Sequence, residues 1–229
     1  MMHVAVVTVG DELLAGEVTD TNAAWLCDRL EACGATVRRV VTVPDEVDAI
    51  AETVGELAAR YDAVVVTGGV GPTHDDRTLA GVAAAFDREL RTHDGAREWL
   101  ESTGDYAFAE LAEGTADLPE GSRFLRNPVG VAPGAVVENV YVLPGVPAEM
   151  EAMFDHVAAE FDGAVTHVET LEAAEPESAL VDRIAEAEDR FDVAVGSYPG
   201  EVVRLSVRST DPTAAAEAAD WLRERVAQR

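Results

Sequence analysis

Three short β-branched runs set the terms for the fold: HVAVVTV at residues 3–9, ATVRRVVTV at 35–43 and DAVVVTGG at 62–69. Each reads as a strand. Between them, TDTNAAWLCDRLEACG (19–34) reads as a helix capped by Asp20 and stopped by Gly34, with Ala23, Trp25, Leu26 and Leu30 near one face. EVDAIAETVGELAARY (46–61) gives a second amphipathic helix. Strands alternating with helices in this way imply a parallel sheet with right-handed crossovers, hence an α/β fold.

The pattern then continues. A third helix is expected over 78–86 and two more over 93–103 and 106–114, followed by strand character in SRFLRN, GAVVEN and VYVLPG and a closing helix over 147–161. That completes a first domain, 1–162. The remainder, 163–229, reads strand, helix, strand, strand, helix, which is a small α+β unit. No internal repeat or low-complexity linker separates the two.

Composition narrows the partners. All 17 basic residues are arginine, and 44 acids leave a formal charge of −27 on 229 residues that are 48% apolar. Such a chain repels nucleic acid and anionic membrane. It suits a salt-rich, halophilic cytoplasm, where a Debye length of roughly 3 Å at 1 M lets like charges coexist. There is no secretory signal pattern and no apolar run of bilayer length, so a cytoplasmic location is expected. Cys27 and Cys33 have neither redox nor zinc spacing and read as reduced packing residues.

In open parallel sheets, ligands bind beyond the carboxyl ends of the strands. The first strand delivers Gly10, Asp11 and Glu12 there, the second Asp45, and the third Gly68, Gly69, Gly71, Thr73, Asp75 and Asp76; later strands deliver Asn127, Gly145 and Glu149. Glycine amides and a following helix N-terminus can hold phosphate. Asp75 and Asp76 could instead cap that helix, but so many carboxylates on one rim would repel each other without a cation. Hard oxygen ligands suit Mg²⁺ or a similar ion. His74 could be a ligand or an acid catalyst but reads more readily as a solvated ion-pair partner, and Arg77 reads equally as a phosphate contact or as a charge neutralising its acidic neighbours. No Walker loop, dinucleotide fingerprint, nucleophile elbow or catalytic cysteine signature is present.

Four segments in order, VTVGDELLAGEVTDTNAAWL, TGGVGPTHDDRT, NPVGVAPG and LPGVPAEMEAMF, resemble the CinA family. The first domain is thereby similar to the three-layer, mostly parallel molybdopterin-binding fold of the MoaB and Mog proteins, and residues 164–209 resemble the KH-related domain of CinA. GSYPG departs from the Gly-x-x-Gly loop of RNA-binding KH domains. The family's amidase domain would begin near where this chain ends, so that activity is not carried over. The resemblance implies metal-dependent hydrolysis of ADP-ribose to AMP and ribose 5-phosphate. It also brings in FAD hydrolysis, as in the related domain of FAD synthase, and molybdopterin binding, as in Mog-type relatives, where acids matching Asp45 and Asp76 serve Mg²⁺-dependent adenylyl transfer.

The expected site therefore has Asp75, Asp76 and Asp45 as catalytic metal ligands. Gly68, Gly69, Gly71 and Thr73 hold phosphate, with Asp11, Glu12, Asn22, Asn127 and Gly145 completing the ligand contacts. The expected ions are Mg²⁺, Mn²⁺ or Co²⁺, with K⁺ a further candidate, and a homodimer is the expected assembly. Two other readings stay open: a molybdopterin or nucleotide binding module without turnover, and a nucleic-acid-associated KH protein, which the charge and the missing loop disfavour.

Overall fold

The computed structural model describes residues 2–71, 76–102, 114–163 and 166–227. The chain divides into two compact units, Met1–Gly163 and Ala164–Arg229.

In the first unit, β1 (His3–Val9) lies between β2 (Thr36–Val43) and β3 (Ala63–Thr67) and runs parallel to both. Val4 to Thr8 pair in register with Ala63 to Thr67. The sheet continues from β3 to β8 (Val140–Leu143), still parallel, then to β7 (Gly134–Val137) and β6 (Arg123–Leu125), both antiparallel to their neighbours. The mostly parallel sheet expected from the strand-helix alternation is what forms.

Both faces are covered, and the pleat of β1 shows how. Val4 and Val6 face one way, onto Leu26 and Leu30 of α2 (Thr21–Ala32) and Met150, Met153 and Phe154 of α6 (Pro147–Val157). Ala5, Val7 and Val9 face the other way, onto Ile50, Val54 and Leu57 of α3 (Val47–Arg60) and Val82 of α4 (Thr78–Ala85). A strand with apolar neighbours on both faces reads as a continuous valine run, and the result is a three-layer α/β/α unit. Asp20 caps α2 as expected, accepting a hydrogen bond from the Ala23 amide at 2.8 Å.

Three small elements fall outside those expectations. A one-turn helix, α1 (Asp11–Leu14), follows β1 directly. Two three-residue strands, β4 (Leu90–Thr92) and β5 (Asp117–Pro119), pair antiparallel beside the main sheet. Between them α5 (Asp94–Ser102) occupies the place of the expected helix at 93–103. The helix expected at 106–114 lies outside the described residues apart from Gly114.

Tyr141 on β8 is buried, and its hydroxyl donates to Glu160 at 3.0 Å, a carboxylate that also takes Arg123. Burial, then the Glu160 hydrogen bond and charge, push the phenol up to about 12. A raised phenol favours the protonated fold, so its stabilising contribution is full below the usual value near 10 and fades as pH rises through about 12. Tyr141→Phe lacks that dependence. Thermal unfolding between pH 9 and pH 12 is therefore expected to show the wild type losing stability more steeply than the variant, in buffers spanning roughly these values.

The second unit is a three-stranded antiparallel sheet ordered β10 (Ala194–Tyr198), β11 (Val203–Ser209), β9 (His167–Ala173). Leu171, Leu205 and Val207 of the sheet pack with Ala187 of α7 (Val181–Phe191) and with Ala218, Trp221 and Leu222 of α8 (Pro212–Arg223). Among the described residues no helix is long and apolar enough to cross a membrane.

Candidate functional site

The parallel strands end on one rim of the first unit, and buried hydroxyls pin that rim. Thr8 on β1 and Thr42 on β2 share a hydrogen bond of 2.9 Å. Thr67 at the end of β3 donates to the Pro144 carbonyl, and Thr78 at the start of α4 donates to the Gly68 carbonyl, each at 2.7 Å. Gly68 and Gly69 have φ of +102° and +59°, so the chain turns sharply where β3 ends. Among the described residues no hydrogen bond uses the Gly69 amide.

A cleft of about 300 Å³ opens over this rim. Gly68, Gly69, Asp45, Asp76, Glu12, Asn22 and Gly145 all line it, so seven of the expected site residues come together. Asp11 stands immediately beside them. Its amide donates to the Asp45 carboxylate at 3.0 Å, and the Asp45 amide returns a bond to the Asp11 carboxylate at 3.3 Å. Burial pushes the Asp45 carboxyl above its ordinary value; the charges of Asp11, Glu12 and Asp76 push the same way, while the Asp11 amide pulls it down. Three carboxylates thus bear electrostatically on a fourth.

The remaining expectations sort differently. Gly71 lines a smaller cavity of about 190 Å³ that shares Gly69 and Asp76 with the cleft. Asn22 lines the cleft, yet its amide group donates to the Gly145 carbonyl at 2.7 Å, leaving its own carbonyl for a ligand. Asn127 does not line it. Its side chain donates to Ala132 and Glu149 and accepts from the Val129 and Gly130 amides, so it ties down its own loop at the β6 end of the rim. Thr73, His74 and Asp75 lie outside the described residues. Arg77 is the N-cap of α4, makes no cap bond and forms no ion pair among the described residues. No acid sits in the first turn of α4, so the helix does not begin on an aspartate.

Sequence reasoning missed one wall of the cleft, formed by Leu13, Val18, Thr19 and Thr21. The signal was present: Asp20 caps α2, and a cap residue on this rim carries its neighbours there with it.

Among the described residues no group of three His, Cys, Asp or Glu side chains is set to cage a metal ion. Asp45 and Asp76 in one cleft nevertheless fit a Mg²⁺-type ion, which takes one or two carboxylates and fills its shell with water and substrate phosphate.

The family model described as a probable molybdopterin binding domain matches residues 5–162, which is the unit that carries this rim. The chain belongs to that family. A second model, the middle domain of FAD synthase, matches residues 152–229. Among relatives of this molybdopterin-binding-domain protein, one from Archaeoglobus fulgidus is 40% identical over 199 residues, 86% of either chain. A CinA-like protein of Citrifermentans bemidjiense is 47% identical over 161 residues, which is 67% of this chain but 39% of that protein. The crystal structure of the protein CinA from Thermoplasma acidophilum superimposes with a TM-score of 0.65 at 35% identity, covering 70% of this chain and 98% of that one. The molybdopterin-binding unit is therefore of the CinA-like kind, as the four ordered segments imply.

Proposed function

We propose that the molybdopterin-binding unit hydrolyses a nucleotide pyrophosphate, with ADP-ribose as the substrate and AMP and ribose 5-phosphate as products. The observation that carries this reading is the meeting of Asp45 and Asp76 with the Gly68–Gly69 turn in one cleft. A pyrophosphate gains nothing from approaching Asp45, Asp76, Asp11 and Glu12 unless a divalent cation lies between them. Asp76 and Asp45, with Asp75, hold that cation. Bound there, the cation neutralises the phosphates and lowers the cost of generating a nucleophile from water.

The chain's own groups do the positioning. At the end of β3 the Gly68 amide is taken by the Leu143 carbonyl at 3.3 Å, so the turn offers the phosphates the Gly69 amide, and Asp45 is itself fixed by its paired bonds with Asp11. Water adds to one phosphorus as the bridging oxygen leaves on the other, so both products are phosphate monoesters and protons pass to solvent.

The test is a panel of ADP-ribose, FAD and related pyrophosphates with Mg²⁺, Mn²⁺ or Co²⁺ at molar salt, read by product identity. AMP is expected from ADP-ribose with the cation and none after chelation. A chain that binds a pterin or nucleotide but cleaves nothing in the panel would replace this reading with binding alone, a reading that the family match to a molybdopterin-binding domain supports.

A further inference from the structure

The smaller cavity beside the cleft presents a different set of side chains. Among the described residues its walls are Val70, Leu79, Ala80, Leu90 and Thr115, and Gly71 and Gly114 also line it. Among the described residues one charged group lies away from the shared wall: Asp117, on β5. Its carboxylate accepts the Thr92 hydroxyl at 2.7 Å through one oxygen, while the second has no hydrogen-bond partner among the described residues. The larger cleft has apolar groups of its own in Leu13 and Val18, but it adds the hydroxyls of Thr19 and Thr21 and the Asn22 carbonyl, none of them used within the described residues.

The two cavities meet at Gly69 and Asp76. A pyrophosphate centred there has an organic group on each side, and the two cavities suit different groups. Resting on the hydrolase reading above, we propose that the smaller cavity receives the purine base of the substrate and that Asp117 is the residue that selects adenine. The hydroxyl-rich ribose phosphate then occupies the larger cleft. The aliphatic walls bury the faces of a planar ring. The second Asp117 oxygen accepts a hydrogen bond from an exocyclic amino group and stands against the carbonyl that hypoxanthine carries in its place. FAD shares the adenine half, so Asp117 reads a feature common to both substrates, and the discrimination between them lies in the larger cleft.

Calorimetry on the full chain with Mg²⁺ separates the two halves without turnover, using AMP, IMP and ribose 5-phosphate as probes. Wild type is expected to bind AMP about tenfold or more tightly than IMP. Asp117→Asn keeps an acceptor for Thr92 but presents a donor to the base, so it is expected to lose about tenfold in AMP affinity and to bind IMP at least as well as AMP. Leu90→Trp, at a position 40% exposed and outside the core clusters, is expected to weaken AMP by a similar factor by filling the cavity mouth. Ribose 5-phosphate should bind all three proteins alike. Equal AMP and IMP affinities in wild type, or ribose 5-phosphate weakened as much as AMP, would overturn the assignment while leaving hydrolysis of ADP-ribose intact as a reading. A wild type that neither cleaves ADP-ribose nor binds AMP would remove both.

Discussion

Asp76→Asn is expected to fold normally and to hydrolyse ADP-ribose on the order of 10²-fold or more slowly, a loss of roughly 3 kcal/mol in transition-state stabilisation. The two halves of that expectation come from different features. An aspartate just before a helix is ordinarily a cap worth about 1 kcal/mol, but α4 has Arg77 as its N-cap and no acid in its first turn. Asparagine keeps the shape of the side chain against Gly71. Removing the charge also relieves Asp45, whose carboxyl the Asp76 charge helps to hold up. Folding should therefore survive the substitution. Activity should not, because one of two described carboxylates available to the cation is gone. Product formation and thermal unfolding, measured side by side with wild type at the same salt, decide the matter. Full activity would remove Asp76 from the chemistry, and a large fall in melting temperature would make it a structural residue.

How far the sequence goes toward this site depends on which interaction fixes each part. The valines of β1 and β3 were legible because their burial leaves a chemical trace at every position, and the flanking helices carry a 3.6-residue period. The rim was legible because glycines and acids follow the strands, and a parallel sheet puts all those ends together. Asn127 was placed on the rim by the same logic, and its loop is there, but nothing local says that four hydrogen bonds consume its side chain. β4 and β5 are three residues each, too short for any alternation, and β4 is exposed throughout. The wall at Val18, Thr19 and Thr21 arises from the path of a turn, which hydrophobic periodicity does not encode. The division of the ligand space into two cavities with different sets of side chains is tertiary altogether: it brings Leu79 and Leu90 together with Asp117.

The floor of the cleft yields the largest expected effect on stability. Gly68 has φ +102°, and a Cβ built on it would stand 2.2 Å from the Val9 carbonyl oxygen. That oxygen is main chain at the end of the central strand β1, so it cannot rotate away as a side chain would. Gly68→Ala must therefore bear backbone strain of roughly 1–3 kcal/mol and steric displacement of about 1–3 kcal/mol. The expected loss is about 2–6 kcal/mol, a large share of the ~5–15 kcal/mol that holds an ordinary domain together. Gly16 provides the control, because it too has positive φ, +72°, but a Cβ there would meet nothing within 4 Å. Gly16→Ala should cost only the conformational part, about 1–2 kcal/mol. Denaturant unfolding of both variants in the same salt compares the two directly. If they prove equally stable, the close approach of β1 and the β3 turn is wrong, and with it the geometry that sets Gly69 and Asp45 side by side over the cleft.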